Sequence, residues 1–517
     1  MGRVQPLAGG LPGAEYRLGL GEDLGGAVKP VGHGGKHFVD LQNDVTAQDL
    51  YLALREGYHS IEHVKRYTTC GMGTDQGKTS NINALHIVAN ARNMEPQEVG
   101  TTTYRPPYTP VTFGAWAGRD IGDLFDPERK TPMHSWHEQA GAVFENVGLW
   151  KRPWYFPKAG ETMHEAVYRE CRETRESIGI LDATTLGRID VQGKDAVTFL
   201  NRVYTNGWKT LKPGHCRYGV MCREDGMVMD DGVTMCLGEN HYLMHTTTGG
   251  AGGVLAHLED YLQTEWPDLD VYLTTVTEQY ATAAIAGPNA RRLLAELTDD
   301  IDLDPENFRF MTFTEGHVAG LWARVFRISF SGDLSFEINV AAHNGLYLWE
   351  ALMNAGEKYN ITPYGTETMH VLRAEKGFII VGQETDGTVT PIDLGMHKLL
   401  SSKKDFIGKR SLERPDMKDP QRKQFVGILP DDPNEVLDEG EQLVETPKPE
   451  PPMEMVGNVT SSYTSPSVGR AFALALINGG QRKHGQKVYA PKADGRVVPC
   501  TVTSPVFFDP EGERLRG

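Results

Sequence analysis

Apolar and polar positions alternate along residues 217–236 in the pattern of two β-strands joined by a tight turn. Asp225-Gly226 supplies that turn, because glycine adopts positive φ without steric cost. Successive side chains point to opposite faces of a strand, so Asp231 lies among apolar side chains and Asp230 faces the other way. A carboxylate among apolar neighbours is costly unless it is paired, and burial raises its pKa. Asp231 is therefore a candidate for proton chemistry, with a buried aspartate bonded to backbone amides as the alternative.

A second hairpin and a helix each carry a further charged candidate. The hairpin is predicted over residues 324–340 and places Glu337 in its second strand. Glu337 faces either inward or outward, and strand alternation alone favours a solvated strand face shared with Ser335 and Asn339. The helix is predicted over about residues 366–376, carries Arg373, and ends at Gly377 as a left-handed cap. Charged pairs on a helix normally form a solvated face, so neither residue alone indicates a function.

The N-terminal part of the chain shows helical spacing between glycine-rich and proline-rich loops. Residues 38–45 form an extended run, and Thr46–Asp49 suits the cap and third position of a helix. Apolar residues at helical spacing predict one helix through residues 50–64, and a second follows over about residues 80–91. The prolines of residues 101–110 exclude regular structure there. This pattern predicts a small two-helix module.

The rest of the chain predicts mixed helices and strands, followed by a β domain. From about residue 134 strand and helix patterns are mixed, so we expect an α+β fold. Residues 429–452 are acidic and proline-rich, and we expect them to form an exposed loop or linker. Short strands with turn signals over residues 456–506 predict a small closed β domain. Residues 1–36 are rich in glycine and proline, which is typical of a linker or a truncated end.

Composition and charge exclude several classes of function. The 517 residues are 39% hydrophobic and 23% charged, as in globular proteins. No stretch approaches the roughly 18 apolar residues of a membrane span, and no secretory signal is present, so we expect a cytoplasmic protein. A net charge of −17 without a basic run argues against nucleic acid as a partner. The six cysteines have no C-x-x-C spacing, and we predict no metal site.

Five motifs, taken in order, resemble the glycine cleavage T-protein (aminomethyltransferase) family over about residues 134–510. They are Asp-Gly-x-x-x-Asp-Asp at 225–231, Gly332 with Phe-Glu at 336–337, Leu-Arg-Ala-Glu-Lys-Gly at 372–377, Asp-Phe-Ile-Gly-Lys at 405–409, and Gly-x-Val-Thr-Ser-Ser-x-x-Ser-Pro at 457–466. Two earlier segments, 62–78 and 105–114, resemble the α-subunit family of heterotetrameric sarcosine oxidases, just before the folate domain. The chain as a whole resembles the C-terminal half of such subunits.

The resemblance implies a domain order and a tetrahydrofolate site. Domains are expected as follows: linker or truncated end, 1–36; helical interface module, 37–125; aminomethyltransferase-like folate-binding domain, 134–425; C-terminal β-barrel, 426–517. Asp231 matches the family's catalytic carboxylate, Glu337 the glutamate that binds the pterin ring, and Arg373 the arginine that helps hold folate. Asp230 is grouped with the folate-binding candidates as the structural neighbour of Asp231, not as a second catalyst. Where the family usually has a tyrosine the chain has Phe330, so a hydroxyl contact is lost and ring packing remains.

The resemblance also implies flavin chemistry on a partner subunit. A flavin there oxidises sarcosine, and the one-carbon product is captured on folate as 5,10-methylenetetrahydrofolate, with glycine and hydrogen peroxide as overall products. β, γ and δ subunits are the expected partners. FMN is expected at the interface with the β subunit, whereas NAD and FAD belong to the full complex and not to this chain, which lacks a G-x-G-x-x-G fingerprint. The candidate FMN residues are Thr74, Gln76, Thr103 and Arg105.

Two other functions remain open from the sequence. One is a stand-alone folate-dependent aminomethyltransferase, and the other is a scaffold with the folate fold but without chemistry. The module at residues 36–120 favours the oxidase subunit, since ordinary T-proteins lack it. The presence of Asp231, Glu337 and Arg373 argues against a scaffold.

Overall fold

A computed structural model describes residues 36–106 and 108–517, so the predicted linker lies outside the described residues except for Lys36. The chain divides into two compact units, one ending at Pro127 and one covering Glu128–Gly517. Each unit is described by itself. Within the described residues, no helix combines the length and apolar character that a membrane crossing requires.

The first unit is mainly helical. Its buried residues include Leu50, Val64 and Val88, which come from three different helices. The elements are β1 (Phe38–Asp40), β2 (Val45–Thr46), α1 (Ala47–Arg55), α2 (Ile61–Thr68), α3 (Asn81–Ala91), α4 (Pro96–Val99) and α5 (Phe113–Ala117).

The capping prediction for the first helix is correct, but the prediction of one helix through residues 50–64 is wrong. Thr46 and Asp49 form a capping box at the start of α1. The helix ends at Arg55, because Gly57 follows with φ +94°, and α2 begins only at Ile61. Helical spacing of apolar residues continues across this break because both helices contribute to one core.

The second unit combines helices with several sheets. Its helices are α6 (His134–Gln139), α7 (Met163–Glu176), α8 (Ala196–Val203), α9 (Ala251–Thr264), α10 (Ala290–Ala295), α11 (Gly345–Gly356), α12 (Thr366–Glu375) and α13 (Glu513–Arg516). Its first strands are β3 (Val143–Val147), β4 (Trp150–Tyr155), β5 (Gly179–Asp182), β6 (Gly187–Gln192), β7 (Cys216–Cys222), β8 (Val228–Gly238), β9 (His241–Thr246), β10 (Tyr272–Thr275), β11 (Tyr280–Ala286), β12 (Phe313–Val318), β13 (Leu321–Phe326), β14 (Ser335–Ala341) and β15 (Thr362–Pro363).

Both predicted hairpins are present, each in a different sheet. Strands β7 and β8 lie at one edge of the sheet ordered β10-β6-β9-β8-β7, with Gly226 in their turn at φ +89°. Strands β13 and β14 belong to the sheet ordered β12-β13-β14-β11-β5-β15, and Gly332 in their connection has φ +80°. Strands β3 and β4 pair with each other. The predicted α+β class is therefore confirmed.

The C-terminal strands form a closed barrel in the order β16-β19-β18-β17-β20-β21. They are β16 (Lys423–Pro430), β17 (Gln442–Val444), β18 (Met455–Ser465), β19 (Arg470–Asn478), β20 (Lys487–Pro491) and β21 (Val497–Thr503). The closed β domain is confirmed, but the exposed loop predicted at 429–452 is wrong in part. Leu437, Leu443 and Val444 are buried, because β17 lies between β18 and β20. Strand β17 has only three residues and lies in an acidic segment, so the alternation of apolar and polar side chains is too short there to predict a strand.

Candidate functional site

A cavity of about 2150 Å³ lies within the second unit. Its wall is built from the β7–β8 hairpin, the β13–β14 connection, β14, α7, α12 and the C-terminal barrel. Three of the predicted site residues, Asp231, Glu337 and Phe330, line this one cavity. Asp230 and Arg373 do not line it, although each is bonded to residues near its wall.

Asp231 faces the cavity from β8, as strand alternation predicts. The hydroxyl of Tyr218 on β7 donates a hydrogen bond of 2.5 Å to Oδ2 of Asp231. Burial, and then the charge of Asp230, raises the pKa of Asp231 to about 7, although the Tyr218 hydrogen bond opposes this rise. Because its side chain is half-buried and reaches the cavity, Asp231 can exchange a proton with a ligand near neutral pH.

Asp230 points away from the cavity and is 1% exposed. The backbone N–H of Thr247 donates to its Oδ2 at 3.2 Å, and its Oδ1 has no partner within the described residues. Burial raises its pKa to about 6. Gly250 is close by, and a Cβ there would lie 2.8 Å from Oδ2 of Asp230, so the glycine permits this approach. The two aspartates therefore have separate surroundings, as their alternation predicts.

Glu337 is buried, so the solvated strand face predicted from alternation alone is wrong. Strand β14 lies between β13 and β11, and the residues on both of its faces are buried, including Ser335 and Asn339. Glu337 lines the cavity, and its Oε2 has no hydrogen-bond partner within residues 36–106 and 108–517. Burial raises its pKa to about 7, and the charge of Arg188 acts in the opposite direction. A buried oxygen without a partner, facing a cavity, is available to a ligand.

Phe330 contributes an aromatic surface to the cavity. Its ring is stacked on that of Phe378, with 6.3 Å between the ring centroids and 21° between the planes. Both rings line the cavity, and Phe330 is 36% exposed. A flat ligand ring can therefore pack against them.

Arg373 is fully buried on α12, which contradicts the solvated helix face expected for its charged pair with Glu375. Its Nη1 donates to Oε2 of Glu384 at 2.7 Å and to the carbonyl of Phe378 at 3.0 Å. Its Nη2 donates to Oγ of Ser461 on β18 at 2.8 Å. Arg373 thus fixes the cavity wall at Phe378 and ties it to the barrel. Tertiary packing therefore buries the face of α12 that carries the charged residues Arg373 and Glu375.

Several cavity residues are absent from the sequence prediction. Tyr218 is one, although the register of its hairpin sets Val220 opposite Asp231 and so places Tyr218 diagonally across from the aspartate. Arg152 and His370 also line the cavity. They come from β4 and α12, and no local pattern in the sequence brings these two elements together.

The four candidate FMN residues lie in two loops of the first unit, and the structure brings two of them together. The backbone N–H of Arg105 donates to Oε1 of Gln76 at 2.8 Å, and Nε2 of Gln76 donates to the carbonyl of Gly73 at 2.9 Å. Thr74 is bonded to Gln42 instead, at 3.4 Å. The carbonyl of Thr103 accepts from Lys65, and its N–H donates to Glu62. No cluster of His, Cys, Asp or Glu suited to a metal ion occurs within the described ranges.

Family models match three segments of the chain. The GCVT N-terminal domain matches residues 133–404, the sarcosine oxidase A3 domain 34–119, and the glycine cleavage T-protein C-terminal barrel domain 423–509. The aminomethyltransferase of Corynebacterium aurimucosum is 32% identical over 67% of this chain and 89% of that protein. The solved aminomethyltransferase T from Bartonella henselae has a TM-score of 0.64 at 24% identity, over 74% of this chain and 98% of that one, which shows a shared fold. The chain therefore belongs to the glycine cleavage T-protein family.

A second similarity covers nearly the whole chain. The sarcosine oxidase subunit alpha of Corynebacterium sp. (strain P-1) is 55% identical over 93% of this chain, a match that includes 50% of that protein. The sarcosine oxidase subunit alpha of Rhizobium meliloti (strain 1021) is 47% identical over the same 93% of this chain. The chain thus spans about half the length of these relatives. Both resemblances noted from the motifs are confirmed.

Proposed function

We propose that this chain is the tetrahydrofolate-binding portion of a sarcosine oxidase α subunit. It captures the one-carbon unit from oxidised sarcosine to form 5,10-methylenetetrahydrofolate, and glycine and hydrogen peroxide are the other overall products. The observation that carries this proposal is the buried, unpartnered Oε2 of Glu337 in the same cavity as the proton-exchanging carboxyl of Asp231.

The residues present fit a folate. A pterin ring offers an N–H and an amino group side by side, and an ionised carboxylate can accept both. Glu337 is placed for this role, since it lines the cavity and its Oε2 lacks a donor. Burial raises its pKa to about 7, and the two donors of a bound pterin lower it again by stabilising the ionised form. The stacked rings of Phe330 and Phe378 provide an aromatic surface within the same cavity. Arg373 acts through Phe378, whose carbonyl it holds, and is therefore a positioning residue.

Asp231 supplies the proton chemistry. Tetrahydrofolate supplies the two nitrogens that receive the one-carbon unit. Asp231 accepts the proton that N10 loses, and a pKa of about 7 leaves much of the carboxyl ionised at neutral pH. Tyr218 fixes the orientation of this carboxylate through its 2.5 Å hydrogen bond.

Oxidation of sarcosine takes place on partner subunits in this proposal. We place the β, γ and δ subunits in the complex, with FMN between the β subunit and the first unit of this chain and with NAD and FAD elsewhere. The fork of Arg105 suits the FMN phosphate, and Gln76 holds its backbone at 2.8 Å. Thr74 and Thr103 complete the candidate set. The match of residues 34–119 to the sarcosine oxidase A3 domain supports this proposal over a stand-alone aminomethyltransferase.

Calorimetric titration of the full chain with folinic acid tests the pterin site. We expect Glu337→Gln to weaken binding by at least about tenfold, because a charge-assisted acceptor becomes an amide. Glu306→Gln is the matched control, since Glu306 is exposed and lies outside the cavity lining. Equal affinities for the wild-type chain and both variants would remove Glu337 from the folate site.

A further inference from the structure

Arg152 on β4 is a buried guanidinium that the proposed folate chemistry does not use. It is 8% exposed and lines the cavity. Its Nε has no hydrogen-bond partner in the part of the chain that the structure describes. Burial lowers its pKa, and the charges of Glu145 and Asp182 oppose that change without a hydrogen bond to either. A buried charge without a bonded partner is costly, and a ligand can remove that cost.

Other buried arginines of this unit are bonded within the protein. Arg175 donates to Glu375 at 2.6 Å, Arg373 donates to Glu384 at 2.7 Å, and Arg188 donates to the carbonyl of Thr184 at 2.8 Å. The Nε atoms of Arg188 and Arg373 lack a partner, as that of Arg152 does, but their Nη atoms donate within the protein. Arg152 differs from them because it lines the cavity and its guanidinium makes no hydrogen bond within the described residues.

The two carboxylates near Arg152 do not take this role. Asp182 is already engaged, since Thr131 donates to its Oδ2 at 2.6 Å and Nε2 of His137 lies 3.1 Å from the same oxygen. Glu145 is the cross-strand partner of Arg152 on β3 and also lines the cavity. It contributes charge but no hydrogen bond to Arg152. An incoming anion therefore competes with Glu145 alone.

The cavity side near Arg152 holds a neutral histidine and the carboxyl groups of Glu145 and Glu367. His370 lies close enough to feel the charge of Arg152, and burial together with Arg373 and Arg152 lowers its pKa to about 3, so it is neutral. Trp154, also on β4, donates its Nε1–H to Oε2 of Glu367 at 2.9 Å. Arg152 thus supplies the positive charge on this part of the wall, and its planar fork matches a carboxylate.

We propose that Arg152 is a carboxylate-binding subsite of the cavity, distinct from the pterin contact at Glu337. Two sources of carboxylate share this chemistry: the glutamate moiety of a folate, and a small amino acid such as glycine. The identity of the ligand rests on the proposed function, whereas the subsite itself rests on the geometry of Arg152.

Calorimetry on the full chain separates the two sources. The probes are folinic acid, the carboxamide of 5-formyltetrahydropteroic acid, which lacks the glutamate and carries no carboxylate, and glycine. If folate supplies the carboxylate, Arg152→Met weakens folinic acid at least about tenfold and leaves the pteroic carboxamide unchanged. If a small amino acid supplies the carboxylate, Arg152→Met no longer binds glycine and binds both folate probes with the affinity of the wild type. Arg309→Met, an exposed arginine outside the cavity lining, controls for the loss of charge.

Two further variants keep the test valid if Arg152→Met folds poorly. Arg152→Lys retains the charge without the fork, and we expect an intermediate affinity for the affected probe. Glu145→Gln removes the competing carboxylate, and we expect severalfold tighter binding. The subsite is overturned if Arg152→Met binds all three probes as the wild type does, if it weakens both folates equally, or if Glu145→Gln weakens the probe.

The outcome is distinguishable from failure of the proposed function. Glu337→Gln weakens folinic acid and the pteroic carboxamide together, because both carry the pterin ring. If neither folate binds the wild-type chain but glycine binding depends on Arg152, the proposed function fails and the subsite stands. If both folates bind and no probe depends on Arg152, the subsite fails and the proposed function stands.

Discussion

The hydroxyl of Tyr218 lies 2.5 Å from Oδ2 of Asp231 and donates a hydrogen bond to it across the β7–β8 hairpin. This bond stabilises the ionised form of the carboxyl, whereas burial and the neighbouring Asp230 favour the protonated form. The balance gives Asp231 a pKa of about 7. Tyr218 therefore sets the pH at which Asp231 becomes able to accept a proton.

Tyr218→Phe is expected to move the pH dependence of methylene transfer to higher pH. Without the hydroxyl the carboxylate loses a donor, so the pKa of Asp231 rises above its present value. At neutral pH a larger share of Asp231 is then protonated, so the rate of methylene transfer falls. At higher pH the carboxyl ionises again and the rate recovers. The measurement is the pH profile of 5,10-methylenetetrahydrofolate formation in the assembled complex. Tyr272→Phe, at an exposed residue, is the control, and an unshifted profile in Tyr218→Phe would contradict the role.

Asp231→Asn is expected to separate the two activities of the assembled complex. An amide cannot accept the proton from N10, so methylenetetrahydrofolate formation falls by roughly 10²- to 10⁴-fold, the usual contribution of a general base. Hydrogen peroxide output continues, because sarcosine is oxidised elsewhere in the proposed complex. Asp268→Asn, at an exposed residue outside the cavity lining, controls for charge. Parallel loss of peroxide and folate product in a correctly assembled Asp231→Asn complex would refute the division of labour.

Local sequence patterns predict which way Asp231 faces but predict its surroundings only in part. Strand alternation separates Asp231 from Asp230, and the register of the hairpin that turns at Asp225-Gly226 places Tyr218 diagonally across from the carboxylate. Both inferences depend on residues within a single hairpin, where local geometry fixes the register.

The burial of Glu337 and Arg373 cannot be predicted in this way. Alternation assigns Glu337 to a polar strand face, yet that face is covered because β14 is an inner strand. Arg373 bonds to Glu384 and to Ser461, which is 88 residues away along the chain. Such contacts depend on how distant elements pack, and no short-range pattern encodes them. The resemblance to a known family, rather than periodicity, singles out these two residues.

Glu337→Gln is expected to stabilise the fold at high pH while it weakens folinic acid binding. The pKa of Glu337 is about 7 in the folded chain against an ordinary 4.5, so the folded state holds the proton more tightly than the unfolded state. Stability consequently falls as pH rises from about 4.5 to 7, by on the order of 3 kcal/mol. A neutral amide does not titrate and avoids this loss. Urea unfolding at pH 5 and pH 8 measures the difference, and a variant that is no more stable than wild type at pH 8 would refute it.

Arg373→Met is expected to destabilise the second unit by about 3–5 kcal/mol, because it leaves the carboxylate of Glu384 buried without its cation. Adding Glu384→Gln to this variant removes the stranded charge, so the double variant regains a substantial part of the loss. Thermal unfolding of the two single variants and the double variant measures this coupling. Arg309→Met is the control for removal of an arginine. If the effects of Arg373→Met and Glu384→Gln simply add, then Arg373 and Glu384 do not act as a unit.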